Sequence, residues 1–146
     1  MNWKQEAKER LSQLTALQNA CRSLPVQIKH LEYEISRARS ASFEPVAGKG
    51  CYGRGDDRLL DNIVRRQELC WALKRTRSRV RLIKMALDKL DPQEQMILQK
   101  FYVNPEDKPM ERLCQELKIE KSSIYRYRDR ALERFTMTFY GIPEEA

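Results

Sequence analysis

Two long stretches of this chain carry apolar residues at alternating spacings of three and four, the pattern of a helix that buries one face. In the first stretch the series consists of Leu14, Leu17, Cys21, Leu24, Ile28, Leu31 and Ile35, with Trp3 and Ala7 extending it upstream. In the second it consists of Leu69, Leu73, Val80, Ile83, Leu87 and Leu90, with Thr76 filling one position. These heptad seams predict two long helices, and they allow both antiparallel pairing within one chain and dimerisation between chains.

Two features interrupt the long helical pattern. Pro25 lies within the first seam, where proline removes a backbone N–H and clashes with the preceding turn. We therefore expect either one kinked rod or two helices, over about 2–23 and 24–40. Four of the five glycines lie in residues 41–57, which predicts a flexible loop before a second long helix over about 58–90.

Residues 91–141 carry the start and stop signals of three shorter helices. The run Asp91-Pro92-Gln93-Glu94 places Asp at an N-cap, Pro at N1 and Glu at N3. Asn104-Pro105 ends the first helix, and a short second helix follows Pro109. The third covers about 121–140 and is stopped by a glycine and a nearby proline.

The last predicted helix has two chemically different faces. At about 100° per residue, one side collects Ile124, Tyr127, Ala131, Leu132 and Phe135. The other side collects Ser122, Arg126 and Asp129, flanked by Lys121, Ser123, Tyr125 and Arg130. Hydroxyl, phenol and guanidinium groups can bond base edges and phosphates in a major groove. An ordinary amphipathic helix with solvated charges gives the same pattern.

Together these elements predict an all-α fold. A long N-terminal helical hairpin or coiled coil occupies residues 1–90, with the loop at 41–57. Residues 91–141 follow as a helix-turn-helix DNA-binding domain, because three helices with a short turn between the second and third match that module.

The net charge of +7 is concentrated in two segments. Residues 58–90 hold ten basic and three acidic side chains, and residues 121–135 hold five and two. Clustered Lys and Arg create a local positive potential that favours a polyanionic partner. The charge pattern therefore predicts binding to nucleic acid or to another acidic partner.

The sequence offers little for catalysis or metal binding. Its four cysteines, Cys21, Cys51, Cys70 and Cys114, form no CxxC pair, and the single His30 lies on a predicted helix. We expect no enzyme activity, no metal site and no cofactor. No apolar run reaches the about 18 residues of a membrane span and the start resembles no secretory signal, so a cytoplasmic protein without membrane contact is expected.

Residues 87–135 resemble the C-terminal promoter-reading region of sigma-70-type factors. The matching positions are Leu87, Leu90, Pro92, Glu94, Ile97, Leu98, Leu113, Leu117, Ile119, Ile124, Tyr127, Arg130, Ala131, Leu132 and Phe135. The whole layout is similar to small phage and prophage transcriptional regulators of the autolysin-regulator and late-gene-activator types. These regulators place a long helical region and a small-residue loop before a sigma-like helix-turn-helix.

The resemblance implies binding of double-stranded DNA through the last helix, with promoter readers near the start of that helix. The expected DNA-contacting residues are Lys121, Ser122, Ser123, Tyr125, Arg126, Arg128, Arg130 and Arg134. RNA polymerase is a further expected partner, and the basic helix over 58–90 either extends the DNA footprint or meets polymerase. No part of the chain resembles the sigma regions that melt promoters or grip polymerase.

Two positions depart from the sigma pattern. Lys118 stands where the turn glycine is usual, and Glu120 stands where a Ser or Thr cap is usual, which leaves Ser122 as an alternative N-cap. Two other functions remain open on the sequence. One is a DNA-packaging adaptor like a phage terminase small subunit, which forms a ring of many subunits. The other is a coiled coil that binds only protein.

Overall fold

The computed structural model describes residues 2–42 and 54–141, and these ranges are almost wholly helical and contain no strand. The elements are α1 (Trp3–Ser42), α2 (Arg54–Asp88), α3 (Pro92–Leu98), a π-helical turn (Gln99–Val103), α4 (Pro109–Leu117) and α5 (Lys121–Tyr140). The prediction of an all-α fold is confirmed. Within the two ranges, no helix has the length and apolar character needed to cross a membrane.

The first long helix does not break at its proline. Pro25 lies inside α1, which is one α-helix. Of the two expected alternatives, the division into two helices is therefore wrong, and the single rod is found. The apolar seam continues on both sides of Pro25, and its packing outweighs the lost backbone hydrogen bond. Helix also covers both ends of the predicted loop at 41–57, since α1 ends at Ser42 and α2 begins at Arg54. The rest of that loop lies outside the described residues.

The chain divides into two compact units, and both long helices contribute to each. The first unit consists of Met1–Gln18 and Ser78–Ala146. Its larger core comprises Ala7, Leu11, Leu14, Ile83, Ala86, Leu87, Leu90, Leu98, Val103, Ala131, Leu132 and Phe135. The helix-turn-helix segment therefore shares this core with one end of α1 and one end of α2. The sequence boundary proposed after residue 90 falls inside the same core.

A second, smaller core in this unit joins the three short helices. Ile97, Leu113 and Ile124 are buried in it, and α3 and α4 both pack against α5. The π-helical turn sends its two aromatic rings to different cores, Phe101 to the smaller and Tyr102 to the larger. The short helices are thus packed on one another and also on the long helices.

The second unit consists of Asn19–Arg77 and contains only parts of α1 and α2. Ile28, Ile35 and Leu73 are its buried apolar side chains. Across the two helices, Arg66 Nη2 donates to Glu32 Oε1 at 2.6 Å, and Arg66 Nε donates to the same oxygen at 3.0 Å. The heptad seams thus pair within one chain in this unit.

Candidate nucleic-acid interface

Residues 118–120 connect α4 to α5 and fix where α5 begins. Lys118 has a left-handed backbone with φ of 55°, a conformation that glycine adopts most readily. Glu120 occupies the N-cap position with an extended backbone, and its carbonyl accepts two hydrogen bonds of 3.1 Å from N–H groups three and four residues later. α5 therefore begins at Lys121, and Ser122 lies within its first turn instead of acting as the alternative N-cap.

The apolar face of α5 points into the protein, as its sequence predicts. Ile124, Ala131, Leu132 and Phe135 are buried, and Tyr127 is half-buried. Ile124 belongs to the smaller core, whereas the other three buried residues belong to the larger core. Packing on both cores fixes the rotation of α5 about its axis, and with it the residues that face solvent.

The opposite face of α5 is open to solvent. The exposed side chains are Lys121, Ser122, Tyr125, Arg126, Asp129 and Arg130, and Ser123 is half-buried beside them. Tyr125 is 48% exposed. Within the described part of the chain, no salt bridge engages Lys121, Arg126 or Arg130. Three cations, a phenol and two hydroxyls therefore lie on and beside one accessible helix face.

Two shallow depressions border this face. One is lined by Ser123, Arg126, Tyr127 and Arg130. The other lies against α3 and is lined by Asp91, Gln93, Glu94, Tyr127, Arg130 and Arg134. Tyr127 and Arg130 border both depressions, so the cationic face of α5 is continuous with the polar surface of α3.

Arg128 occupies a different environment from the exposed arginines. Its guanidinium carbon lies 5.2 Å from the centre of the Phe101 ring and 5.0 Å from the centre of the Tyr125 ring, within the range of a cation–π interaction. Its Nη2 also lies 3.6 Å from Asp129 Oδ1. Burial raises the pKa of the Tyr102 hydroxyl, and the nearby charge of Arg128 opposes that rise. Arg128 thus helps hold Tyr125 against the protein.

Arg134 ties α5 to the start of α3. Its Nη1 donates to Glu94 Oε1 at 2.8 Å and lies 3.4 Å from Asp91 Oδ2. The hydrogen bond and charge of Glu94 raise the pKa of the guanidinium, and Asp91 adds to the effect. Asp91 occupies the predicted N-cap position, but its side chain makes no capping hydrogen bond. The sequence therefore predicts correctly where α3 begins. The side chains of Asp91 and Glu94, however, bind Arg134.

The structure therefore divides the eight expected DNA-contacting residues by environment. Six lie on or beside the outer face of α5: Lys121, Ser122, Ser123, Tyr125, Arg126 and Arg130. The other two, Arg128 and Arg134, are engaged with side chains of the protein. Sequence reasoning did not identify Phe101 as a platform for Arg128. The only signal for it was its position on the apolar side of the first short helix.

Comparisons with known proteins identify no relative of this chain. No protein-family model, curated protein or solved structure matches the chain. In the part of the chain that the structure describes, no group of three or more His, Cys, Asp or Glu side chains is placed to hold a metal ion.

Proposed function

We propose that the protein is a sequence-specific DNA-binding transcriptional regulator that places α5 in the major groove of a duplex. The observation that carries this proposal is the exposed face of α5. On it Lys121, Ser122, Tyr125, Arg126 and Arg130 share one side of a helix whose other side is buried. A major groove about 12 Å wide admits such a helix.

The first turns of α5 supply the groups that read bases. Recognition helices contact base edges through their N-terminal residues, and here these include Ser122, Tyr125 and Arg126. The Arg126 guanidinium has the fork geometry that bonds two acceptors of guanine, and the hydroxyls can donate or accept. Lys121 and Arg130 at the borders of the face bind backbone phosphates, which fixes the register of the helix.

The arrangement of the short helices supports this docking mode. α4 precedes α5 by a three-residue connection, and both α3 and α4 pack against α5. A helix-turn-helix module holds its recognition helix in this way. The resemblance of residues 87–135 to the promoter-reading region of sigma-70-type factors points to transcription of phage or prophage genes as the regulated process, with RNA polymerase as a second partner.

The charge of α2 supports a polyanionic partner independently of α5. Residues 69–87 contain six basic side chains and no acidic one. Such a segment attracts a duplex through long-range electrostatics without reading its sequence. Affinity then comes partly from α2, whereas sequence preference comes from α5.

Selection from a random duplex pool tests the proposal directly. The full chain is incubated with the pool, bound fragments are recovered and sequenced over several rounds, and an enriched motif is expected. Gel-shift titration then compares that motif with a scrambled duplex of equal length. Arg126→Ala should weaken binding to the motif, whereas Arg37→Ala, which removes the same charge from an exposed position on α1, should not.

Two results would overturn the proposal. Absence of duplex binding even at low salt would favour the coiled coil that binds only protein. Duplex binding without any enriched motif would show that α5 does not read sequence.

A further inference from the structure

The outer face of α2 in the second unit carries large apolar side chains that are exposed in the part of the chain that the structure describes. Leu60, Val64 and Trp71 are 59%, 52% and 57% exposed. Their spacings of four and seven residues place them on one side of the helix. Trp71 lies two residues from the buried Leu73, about 200° around the helix. The stripe therefore faces away from the seam that α2 buries.

The spacing of this stripe is that of a second heptad seam. With Val64 and Trp71 at equivalent heptad positions, Leu60 and Gln67 occupy the other core positions. If two copies of this segment lie antiparallel with Leu60 opposite Trp71 of the second copy, Val64 falls opposite Gln67. Twofold symmetry repeats each of these two contacts, which gives four layers between the helices. Each of the four layers contains an apolar residue from at least one copy.

Charge selects the antiparallel direction. In the register that pairs Leu60 with Trp71, Asp57 of one copy falls opposite Lys74 of the other. A parallel pair in register would instead place Asp57 opposite Asp57 and Lys74 opposite Lys74, where like charges repel. Lys74 Nζ already lies 5.7 Å from the centre of the Trp71 ring in the same chain, so the cation and the indole belong to one surface.

We propose that two copies of this chain associate through the outer face of α2, over residues 57–74, in an antiparallel twofold arrangement. The interface buries Leu60, Val64 and Trp71 and closes each end with the pair of Asp57 and Lys74. The inference does not depend on DNA binding, because the stripe lies on α2 and uses none of the residues assigned to base contact.

Sedimentation equilibrium of the full chain without DNA tests the association. The mass expected for the wild-type protein is that of a dimer. Trp71→Glu should raise the dimer dissociation constant at least about tenfold, because it places a charge in both of the layers that pair Leu60 with Trp71. The matched control is Tyr33→Glu on α1, where an aromatic side chain of similar exposure (63%) is lost outside the interface.

Charge exchange tests the register. Asp57→Lys and Lys74→Glu should each weaken self-association, because each places like charges together at both ends. An equimolar mixture of the two variants should regain dimers, since a basic side chain of one copy then faces an acidic side chain of the other at both ends. Circular dichroism confirms that the variants remain helical.

Several outcomes would overturn the inference. A monomeric wild-type protein at all concentrations would exclude it, and a ring of many subunits would replace it with the assembly of a packaging adaptor. Equal effects of Trp71→Glu and Tyr33→Glu would remove the α2 stripe as the interface. A mixture of the two charge variants that stays monomeric would exclude the antiparallel register.

Discussion

At the scale of single residues, the contact between α3 and α5 depends on a buried carboxylate. Glu94 is 4% exposed, and its Oε1 accepts the 2.8 Å hydrogen bond from Arg134. Its other oxygen, Oε2, is buried and has no hydrogen-bond partner among residues 2–42 and 54–141. A buried charge that loses its counterion is costly, because neither water nor another group replaces the partner.

Removal of Arg134 should therefore destabilise the fold. Arg134→Ala removes the counterion and hydrogen-bond donor of the buried Glu94 side chain, so the melting temperature should fall. Thermal unfolding followed by circular dichroism measures this fall. The control Arg130→Ala removes an exposed arginine from the same helix and should leave the melting temperature almost unchanged.

A double variant separates loss of the ion pair from loss of arginine packing. Adding Glu94→Gln to Arg134→Ala removes the uncompensated charge, and part of the lost stability should return. If the single variant melts like the Arg130 control, the ion pair does not hold α3 against α5.

Leu132 tests which face of α5 is buried. The side chain is 3% exposed within the larger core, and truncation of a buried leucine leaves a cavity. Leu132→Ala should therefore reduce the free energy of unfolding by roughly 2–5 kcal/mol. Urea denaturation measures the change, with Met137→Ala on the exposed part of the same helix as the control. Equal stability of Leu132→Ala and the wild type would mean that the helix faces are reversed.

At the scale of elements, the sequence was most informative where local signals agree with packing. The end of α5 is one example, because Gly141 adopts the left-handed conformation expected of a glycine after a helix, with φ of 68°. The buried side of α5 is another, since its apolar residues recur at the helical period. Both properties follow from short-range geometry and required no knowledge of the other helices.

Local signals left two elements undecided or unseen. Proline normally ends or bends a helix, so the sequence around Pro25 allowed one rod or two helices, and α1 continues through Pro25 because tertiary packing favours the seam on both sides. The π-helical turn Gln99–Val103 has no sequence signature of its own. This turn directs Phe101 to the smaller core and Tyr102 to the larger one. The two cores form only when α3, α4 and α5 pack together, so the sequence of the turn alone does not indicate it.

The connection between α4 and α5 provides a test at this scale. Lys118 adopts a left-handed backbone that costs an L residue about 1–2 kcal/mol. Lys118→Gly should therefore be more stable than Lys118→Ala by about 1 kcal/mol, because both lose the same charge and only glycine avoids the steric cost. Urea denaturation of the two variants measures the difference. A less stable glycine variant would show that the turn is not left-handed at this position.

At the scale of the whole molecule, the sequence predicted which face of α5 is exposed. It did not predict which residues of α5 bind other side chains of the protein. The outer face of α5 followed from its period alone. The engagement of Arg128 with Phe101 and of Arg134 with Glu94 did not, because those partners lie at least 27 residues away in sequence. Long-range packing brings them together, and no spacing rule within α5 indicates it.

The distribution of positive charge leads to a prediction for the complete protein. If about five phosphates are neutralised on binding, the logarithm of the association constant should fall with the logarithm of salt concentration at a slope near −4 to −5. Titrations at several salt concentrations measure the slope. Affinity that does not change with salt would exclude phosphate contacts as a major source of binding.

The most direct test of DNA recognition compares two duplexes and two proteins in one anisotropy titration. The duplexes are the motif enriched by selection and its scrambled counterpart, and the proteins are the wild type and Arg126→Ala. If Arg126 on the outer face of α5 bonds a base, the substitution should cost about 1–3 kcal/mol on the motif and much less on the scrambled duplex. Wild-type binding of equal strength to both duplexes, unchanged by Arg126→Ala, would contradict the claim that α5 reads DNA sequence.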